Sequence, residues 1–285
     1  MSLIERSNCP ICSYQKFKSL YKISYCDEKI LNFLNEYYQN RFPTHLIKNF
    51  DFELLECKNC KLIFQKYIPS DDFSYKLYDK IISPEKSLEK KILGSKNWYR
   101  KYDNEIRLIK NIYKDKKIKV LEFGAGWGFW ASRAIENGLE VDVFELSKSR
   151  IQYMRKKGIN VIEDLNNSLE NYDFIYSDQT IEHISDPHQI FKLFLPKLKK
   201  NGFILLNFPS SFQFKKKLNK SYIPKKDAAH PLEHINILNR ASISHLIEKH
   251  DLNLINFKSR FNPSLINFLR DIKNLFYFDN ILIQK

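Results

Sequence analysis

Short apolar runs alternate with stretches of helical periodicity through the second half of the chain. The runs are rich in Val, Ile, Leu and Phe and are bounded by glycine or polar residues, which is typical of buried strands. They predict strands at residues 119–123, 140–145, 160–162, 173–177, 202–208, 253–259 and 280–284, the last two joined by residues 264–278. Helices are predicted between them at residues 129–137, 148–157, 188–199 and 241–250. Strands that alternate with helices indicate a parallel sheet with helices on both faces.

The first part of the chain has a different pattern. All five cysteines lie there and periodicity is weak, although the Tyr- and Phe-rich stretch 30–52 could form one or two helices. A helical pattern then runs to Lys114, opened by Ser83-Pro84-Glu85, and Gly94 is a possible break between two helices. We therefore expect an N-terminal module at 1–75, a helical connector at 76–114, and one α/β domain at 115–285 with a basic, aromatic insertion at 210–229.

Composition indicates a folded chain with a basic surface. Apolar residues make up 43% of the 285 residues, enough for a substantial core. The net charge of +14 suits nucleic acid, a membrane surface or an anionic small molecule, or else a solvated surface without a partner. No apolar run reaches the roughly 18 residues that cross a bilayer, and the N-terminus lacks the apolar stretch of a signal peptide. We therefore expect a cytoplasmic protein with no membrane span, whose cysteines stay reduced.

A glycine-rich turn follows the first predicted strand of the α/β domain. Gly124, Gly126 and Gly128 let the backbone turn tightly and approach a ligand before the next helix. The following strand ends at Glu145, 21 residues after Gly124, where a carboxylate would meet a ribose diol. This spacing also suits a dinucleotide-binding dehydrogenase, but the third glycine of that pattern would stand at Phe129. Tight turns without a ligand are the plainer alternative.

Further carboxylates surround this turn. Glu122 precedes the first glycine, whereas Asp164 and Asp178 follow the third and fourth predicted strands. Because the carboxyl ends of parallel strands meet at one edge of the sheet, these side chains would lie where ligands bind in such folds. The sequence therefore predicts a nucleotide-type site at this edge.

Residues 115–210 resemble the class I S-adenosylmethionine-dependent methyltransferases. The resemblance rests on residues 120–128, Glu145 and residues 202–206, and on the segment 177–187, which contains a Glu-His-x-x-Asp-Pro motif typical of the small-molecule branch. It implies a Rossmann-like, seven-stranded, mostly parallel sheet with helices on both faces. It also implies S-adenosylmethionine as cofactor.

The resemblance further implies a role for each matching residue. Gly124 and Gly126 would contact the methionine part of the cofactor, Glu145 the ribose hydroxyls, and Asp164 the adenine amine. Asp178 and Gln179 would line the methyl-bearing end. We include Glu122 and Gly128 of the same turn in the predicted cofactor site.

The cysteines form two close pairs near the N-terminus. Cys9 and Cys12 make one Cys-x-x-Cys motif and Cys57 and Cys60 the other, so that each pair could hold one tetrahedral zinc ion with two thiolates. The 44 residues between the pairs exceed the about 15–20 of a compact zinc ribbon, so other structure must fold between them. We predict a structural zinc site in a small zinc-ribbon-like module, with cysteines that bind no metal as the alternative. Cys26 is expected to be a buried apolar residue.

A module of this kind ahead of the cofactor domain resembles bacterial sugar methyltransferases, including those that act on nucleotide-linked deoxysugars. In those proteins the zinc module helps to cover the substrate. The C-methyltransferases among them carry a further C-terminal domain that has no counterpart here, which favours oxygen as the methyl acceptor. The resemblance thus implies O-methylation of a nucleotide-linked sugar or a surface polysaccharide unit.

Three residues are the predicted catalytic groups. A hydroxyl acceptor needs a base, and histidine suits that role near neutral pH. His183 and the pair Glu233-His234 follow the fourth and fifth strands, and a Glu-His pair in this place helps catalysis in the resembling sugar enzymes. His183 could instead cap a helix, and His234 could be a packing residue. Tyr75 and Tyr78 could reach the site, but aromatic residues three apart are more often part of the core.

Other acceptors are also considered. An N- or C-methyltransferase acting on another small molecule or a lipid-like substrate is the second hypothesis, and the lysines of residues 215–226 would suit phosphates or simply solvent. An RNA-binding methyltransferase is the third. It is disfavoured because Asp178-Gln179-Thr180-Ile181 stands where base methyltransferases have an Asn/Asp-Pro-Pro-Tyr type segment. We expect a small-molecule or glycan partner, which can be anionic, and not a nucleic acid. The sequence does not indicate the oligomeric state.

Overall fold

The computed structural model describes residues 2–114, 116–219, 221–255 and 278–285. Its helices are α1 (Glu28–Tyr38), α2 (Asp71–Lys76), α3 (Pro84–Tyr113), α4 (Phe129–Glu136), α5 (Lys148–Lys156), α6 (Pro187–Lys197), α7 (Ser211–Lys217) and α8 (Arg240–Glu248). Its strands are β1 (Leu3–Glu5), β2 (Phe17–Ser24), β3 (Asp51–Cys57), β4 (Ile63–Gln65), β5 (Tyr67–Pro69), β6 (Lys119–Phe123), β7 (Glu140–Phe144), β8 (Asn160–Ile162), β9 (Tyr172–Asp178), β10 (Leu198–Pro209), β11 (Asn236–Ile237), β12 (Asn253–Ile255) and β13 (Phe278–Gln284). The predicted connection at 264–277 lies outside the described residues.

The main sheet has seven strands in the order β12, β13, β10, β9, β6, β7 and β8. Neighbouring strands are parallel except around β13, which runs antiparallel to both β10 and β12. Each of the seven predicted strands has a counterpart in this sheet, although residues 256–259 of the predicted strand 253–259 lie outside the described residues. The α/β fold with a seven-stranded, mostly parallel sheet is confirmed.

The strand order reverses at β6. The chain passes from β6 outwards through β7 and β8, and then returns to place β9 on the other side of β6. At such a reversal the loops after the two central strands lead away from each other, which leaves a crevice at their carboxyl ends. The glycine turn after β6 and the segment after β9 therefore border the same crevice.

A second, antiparallel sheet consists of β2, β3, β4 and β11. Its fourth strand comes from Asn236–Ile237, so the N-terminal sheet is completed by the C-terminal half of the chain. Arg6 strengthens this junction because its guanidinium donates to the Asn236 side chain at 2.8 Å and to the carbonyl oxygens of Ile235 and Ser185. The helical expectation for residues 30–52 is correct for α1, but β3 begins within that stretch, at Asp51.

Two sequence expectations about local structure are wrong. Gly94 does not separate two helices, because α3 is continuous from its cap at Ser83, whose hydroxyl accepts from the Lys86 N–H, to Tyr113. The segment predicted as an insertion, 210–229, contains α7. Cys26 is exposed rather than buried, and its thiol donates to the Lys48 carbonyl oxygen at 3.1 Å.

Apolar side chains fill both faces of the main sheet. Helices α3, α4 and α5 cover one face, where Trp130 stacks on Tyr176 with 3.9 Å between ring centroids. Helices α6 and α8 cover the other, together with the cysteine-bearing loops. A third cluster joins α1 and the antiparallel sheet to residues of the insertion. No helix within the described ranges is long and apolar enough to cross a membrane.

Candidate functional site

The turn after β6 is packed so tightly that glycine is required. Gly124, Gly126 and Gly128 all have positive φ, at 72°, 57° and 67°. A Cβ on Gly124 would lie 2.3 Å from the Thr180 hydroxyl oxygen, and one on Gly128 would lie 2.8 Å from Met154. Side chains would therefore strain the backbone and collide with neighbouring elements. By contrast, a Cβ on Gly126 would meet open space, so this glycine faces room for a ligand.

Glu145 stands beside the turn at the end of β7. One of its carboxylate oxygens accepts from the Gly126 N–H at 2.8 Å, and the other accepts from the N–H groups of Leu146 and Ser147 at 2.8 and 3.0 Å. The Arg150 guanidinium lies 3.6 Å from the first oxygen. These contacts fix the carboxylate at the edge of the crevice, next to the open side of Gly126.

The other predicted carboxylates lie around the same edge. Glu122 is buried in β6 and accepts from the Ala131 N–H at 3.0 Å, which ties the turn to the first residues of α4. Burial raises its pKa well above the usual value, and the charge of Asp178 adds to this effect. Asp178 ends β9 and forms a 2.7 Å ion pair with Lys101. Asp164 is exposed after β8, where it accepts from the Asn166 and Asn167 backbone N–H groups.

Gln179 has a strained backbone at this edge. Its φ is +53°, a conformation that costs a non-glycine residue of the order of 1 kcal/mol or more, and its N–H donates to the Asn207 carbonyl oxygen at 2.9 Å. The side-chain amide nitrogen is buried and has no hydrogen-bond partner among the residues that the structure describes. Strain combined with an unpartnered donor is typical of a residue held in place for a ligand.

Helix α3 covers the crevice, which the sequence reasoning did not anticipate. The Trp127 indole N–H donates to the Ser87 hydroxyl at 3.1 Å, and Lys101 reaches Asp178 from the same helix. Further along, Glu105 accepts from Tyr176 and Asn207 at 2.8 Å each. No motif marks these residues, because a lysine or glutamate on a helix usually faces solvent.

A second group of polar side chains is buried beside the glycine turn. The segment after β9 runs from Thr180, which touches Gly124, to His183 in a single turn of 3₁₀ helix. The rings of His183 and His234 lie 4.8 Å apart, and the ring of His230 lies 5.6 Å from that of His234. The chain thus brings three histidines together one short turn away from the glycines.

The hydrogen bonds of His183 determine its tautomer. Its Nδ1 lies 2.8 Å from the Glu233 carbonyl oxygen and 2.7 Å from the Tyr78 hydroxyl. Because the carbonyl only accepts, Nδ1 carries the proton and Nε2 presents a lone pair. Burial lowers the pKa of His183 to about 4, so the ring is neutral at pH 7. Tyr78 therefore belongs to the site, whereas Tyr75 is exposed.

His234 is held by its backbone rather than by its ring. The Gln65 side chain donates to the His230 and His234 carbonyl oxygens at 2.9 and 3.0 Å and accepts from the Leu232 N–H. Within the described part of the chain, His234 Nδ1 has no hydrogen-bond partner. Burial and the nearby His183 lower the pKa of His234 well below its usual value, which leaves a neutral imidazole.

Two buried glutamates flank the histidines. Glu233 accepts from the Tyr38 hydroxyl at 2.7 Å, and burial raises its pKa to about 7. Glu182 is buried with both carboxylate oxygens lacking a partner among the described residues, and burial raises its pKa to about 8. The ligand atoms of Glu182, His183 and His234 all lie within 4.8 Å of one another, so these three residues could also hold a cation.

The aromatic wall of this group was not predicted. Tyr37 and Tyr38 come from α1, almost two hundred residues before His230 in the chain, yet the Tyr37 ring lies 4.4 Å from that of His230. The Lys226 ammonium lies 5.4 Å from the Tyr37 ring centroid. Tyrosines on an amphipathic helix look like core residues in the sequence, and only tertiary contacts show that they line the histidine cluster.

The four cysteines of the two motifs converge. Cys9 Sγ lies 3.5 Å from Cys60 Sγ, and Cys12 Sγ lies 3.4 Å from Cys57 Sγ, with all four sulfurs within 4.8 Å of one another. A tetrahedral ion with metal–sulfur bonds of about 2.3 Å would place its sulfurs about 3.8 Å apart. The four cysteines are therefore close enough to hold a metal ion. The cluster packs on the main sheet domain, where His188 bonds the Ile11 carbonyl oxygen at 2.7 Å.

Comparison with known proteins agrees with this geometry. A family model described as a methyltransferase domain matches residues 98–256, which is more than half of the chain. The chain belongs to this methyltransferase family. The match covers the glycine turn, Glu145 and the histidine segment after β9, and the expectation of a methyltransferase is confirmed.

Individual relatives are distant. Methyltransferase str2 of Strobilurus tenacellus is 27% identical over 95 residues, and the match spans 31% of this chain and about a third (34%) of that protein. The plantazolicin methyltransferase BpumL, solved with a triazolic desmethylPZN analogue and SAH, is 15% identical, with a TM-score of 0.56 over 74% of this chain and 94% of its own. The plantazolicin methyltransferase BamL gives 14% identity and the same TM-score of 0.56, over 74% of this chain and 93% of its own. At such identities the structural likeness supports the fold.

Proposed function

We propose that the protein transfers the methyl group of S-adenosylmethionine to a hydroxyl oxygen of a carbohydrate. The observation that carries this proposal is the position of the neutral, buried histidines one turn of 3₁₀ helix away from the glycine turn. A methyl donor and a base have to meet at the same acceptor atom, and this arrangement puts a base where the methyl end of the cofactor would lie.

The cofactor would lie across the carboxyl ends of β6, β7 and β9. Gly124 and Gly126 would face the methionine part, Glu145 the ribose, Asp164 the adenine amine, and Asp178 with Gln179 the methyl-bearing end, with Glu122 and Gly128 fixing the turn. When bound, the cofactor supplies a methyl group on a sulfonium, which is already an excellent leaving group. The residues of the chain have to align the acceptor with that methyl group and exclude water.

Replacement of Glu145 by alanine is expected to weaken cofactor binding by roughly 10- to 100-fold, since a hydrogen bond to a charged group contributes about 1.5–3 kcal/mol. Titration calorimetry with S-adenosylmethionine measures this. Glu140→Ala on the same strand, an exposed glutamate, is the control that should leave the affinity unchanged. A Kd of Glu145→Ala equal to that of the parent protein would remove Glu145 from the ribose site.

For the acceptor, His234 would act as base. Its Nδ1 has no hydrogen-bond partner among the described residues, and a neutral ring protonated at Nε2 can take the proton of the hydroxyl at Nδ1 as the new C–O bond forms. The bound cofactor would supply the methyl group and keep the electron pair of the C–S bond on its sulfur, as S-adenosylhomocysteine. His183 and Glu233 would position the acceptor and His234, because the His183 ring is held against the Glu233 carbonyl oxygen.

Polar groups in the cluster support a carbohydrate acceptor. His230 lies beside His234, Tyr37 lies against His230, and the Tyr78 hydroxyl bonds His183, so hydroxyl and imidazole groups surround the cluster. Such groups suit a substrate rich in hydroxyls. Lys226 approaches the same cluster over the Tyr37 ring, and a cation there suits the phosphate of a nucleotide-linked sugar or another anionic unit. N- or C-methylation of another small molecule is the alternative, with RNA methylation behind it.

Zinc is the metal we propose for the four cysteines. Four thiolates in a tetrahedral arrangement suit a closed structural zinc site with no position left for a substrate. Cys9, Cys12, Cys57 and Cys60 belong to loops that pack between the antiparallel sheet and α6, so the ion would join the N-terminal module to the methyltransferase domain. Its role there would be structural.

The proposed reaction is tested by measuring S-adenosylhomocysteine formation with nucleotide sugars, free glycans, amines and RNA as acceptors. The protein is first passed over a chelating resin. We expect turnover with a sugar, and we expect added Mg²⁺ or Mn²⁺ to leave the rate unchanged. Turnover with amines or RNA and none with sugars would contradict the acceptor class. Strong stimulation by a divalent cation would instead assign Glu182, His183 and His234 to metal binding, a donor set that such ions accept.

A further inference from the structure

One face of α3 lies along the cofactor crevice from end to end. Ser87 holds the Trp127 indole over the glycine turn, and Lys101 holds Asp178 at the end of β9. Lys91 stands one helical turn after Ser87 on the same face, because residues four apart in a helix are neighbours. The two fixed contacts therefore place Lys91 over the gap between the glycine turn and β9.

Aromatic rings rather than a carboxylate lie next to Lys91. Its ammonium lies 5.0 Å from the Trp98 ring centroid and 5.7 Å from that of Tyr102. The ion pairs on this face of α3 belong to Lys101, which lies 2.7 Å from Asp178 and 3.7 Å from Glu105. Lys91 is thus a half-buried cation between two rings, and no ion pair of its own is found within the described part of the chain.

A half-buried ammonium without an ion-pair partner is costly unless a ligand supplies one. Burial lowers the pKa of Lys91, and the charges of Asp178 and Glu122 oppose this effect, as expected for a group near these two carboxylates. Arg150 lies 5.8 Å from the Trp127 ring centroid and already has Glu145 as a carboxylate partner. Lys91 is therefore a cation beside the crevice that can pair with an anionic ligand group.

We propose that Lys91 binds the α-carboxylate of the methionine part of the cofactor. This inference rests on the proposed function, because it takes S-adenosylmethionine as the ligand. The cofactor carries two positive groups, the sulfonium and the α-amine, and a single carboxylate. Asp178 and Glu122 are acidic groups on the floor of the crevice that suit the positive groups, and Lys91 on the helix above suits the carboxylate.

The decisive measurement compares ligands with and without the carboxylate. Kd values are measured by calorimetry for S-adenosylmethionine, S-adenosylhomocysteine and decarboxylated S-adenosylmethionine, with the parent protein and Lys91→Met. Methionine keeps a long apolar side chain against Trp98 and Tyr102 while removing the charge. We expect the two carboxylate-bearing ligands to bind Lys91→Met roughly 10- to 100-fold more weakly, and the decarboxylated ligand to bind both proteins equally well.

Two controls make the result specific. Lys90→Met removes an exposed lysine next in sequence and should leave every Kd unchanged. Glu145→Ala should weaken all three ligands by the same factor, because each of them carries the ribose. Thermal unfolding of each variant checks that the fold is retained.

The outcomes separate this inference from the proposed function. If the parent protein binds none of the three ligands, the proposed cofactor is wrong and the role of Lys91 falls with it. If the parent protein binds them but Lys91→Met weakens all three equally, or none, the cofactor stands and the carboxylate contact is overturned. Selective loss of the carboxylate-bearing ligands supports the assignment.

Discussion

Replacement of Cys60 by serine is expected to abolish metal binding and to unfold the N-terminal module, because the ion would then lose one of four thiolate ligands. Structural zinc contributes about 10–16 kcal/mol of apparent binding free energy in small zinc domains. The stability of a whole domain is only about 5–15 kcal/mol. The free energy lost with the ion would therefore exceed what the small core of this module can supply. The cysteines lie within a cluster that also packs on α6 and α8.

The measurements are metal content by atomic spectroscopy and thermal unfolding by circular dichroism. We expect one zinc ion per chain in the parent protein and none in Cys60→Ser, with a melting temperature lowered by ten degrees or more or with insoluble protein. Cys26→Ser removes an exposed thiol outside the cluster and is the matched control. If the parent protein contains no metal and unfolds at the same temperature before and after treatment with a chelator, the cysteines need no ion.

The main sheet could be predicted because each of its strands leaves a local pattern. Buried parallel strands are short apolar runs, and the helices between them carry their own period and glycine ends. The strand β11 leaves no such pattern, since Asn236–Ile237 has only two residues and pairs with β4 far away in the chain. Its place in the N-terminal sheet depends on tertiary contacts, among them those of Arg6.

Gly94 shows how tertiary structure outweighs a local preference. Glycine costs about 1 kcal/mol within a helix compared with alanine, which suggests a break. Helix α3, however, packs Tyr102, Ile106 and Ile109 onto the main sheet, and each buried side chain of that kind contributes about 1.5–3 kcal/mol. The sum of these contacts favours a continuous helix.

The glycine turn was easier to predict than the histidine cluster. Glycines at fixed spacing after a strand indicate a tight turn from the sequence alone, and positive φ at Gly124, Gly126 and Gly128 agrees with that prediction. The histidine cluster and its aromatic wall are assembled from α1, from the segment after α2 and from two loops of the main domain. Tyr38 and Glu233 are adjacent only in the folded chain, at 2.7 Å between hydroxyl and carboxylate.

Replacement of His234 by alanine is expected to lower turnover by about 10²- to 10⁴-fold, the range over which a positioned base contributes, while S-adenosylmethionine still binds with its parent affinity. Binding should persist because the proposed cofactor residues lie at or just after the ends of β6, β7, β8 and β9, whereas His234 precedes β11. The loop should keep its shape, since Gln65 holds it through the backbone carbonyl oxygens of His230 and His234. Turnover is measured as S-adenosylhomocysteine formation with the best sugar acceptor, and affinity by calorimetry.

His245→Ala, which removes a part-exposed histidine of α8, is the matched control. The pH profile gives a second readout. A base with a lowered pKa stays neutral, and hence active, below the usual histidine range. We therefore expect kcat/KM to decline with acid only at pH values below about 6.5, and this decline to disappear in His234→Ala. His183 and Lys226 face the same ring, and positive charge on either of them disfavours its protonation. If His234→Ala turns over as fast as the parent protein, His234 is not the base. The base would then be His183, whose Nε2 carries a lone pair in the tautomer that its hydrogen bonds indicate.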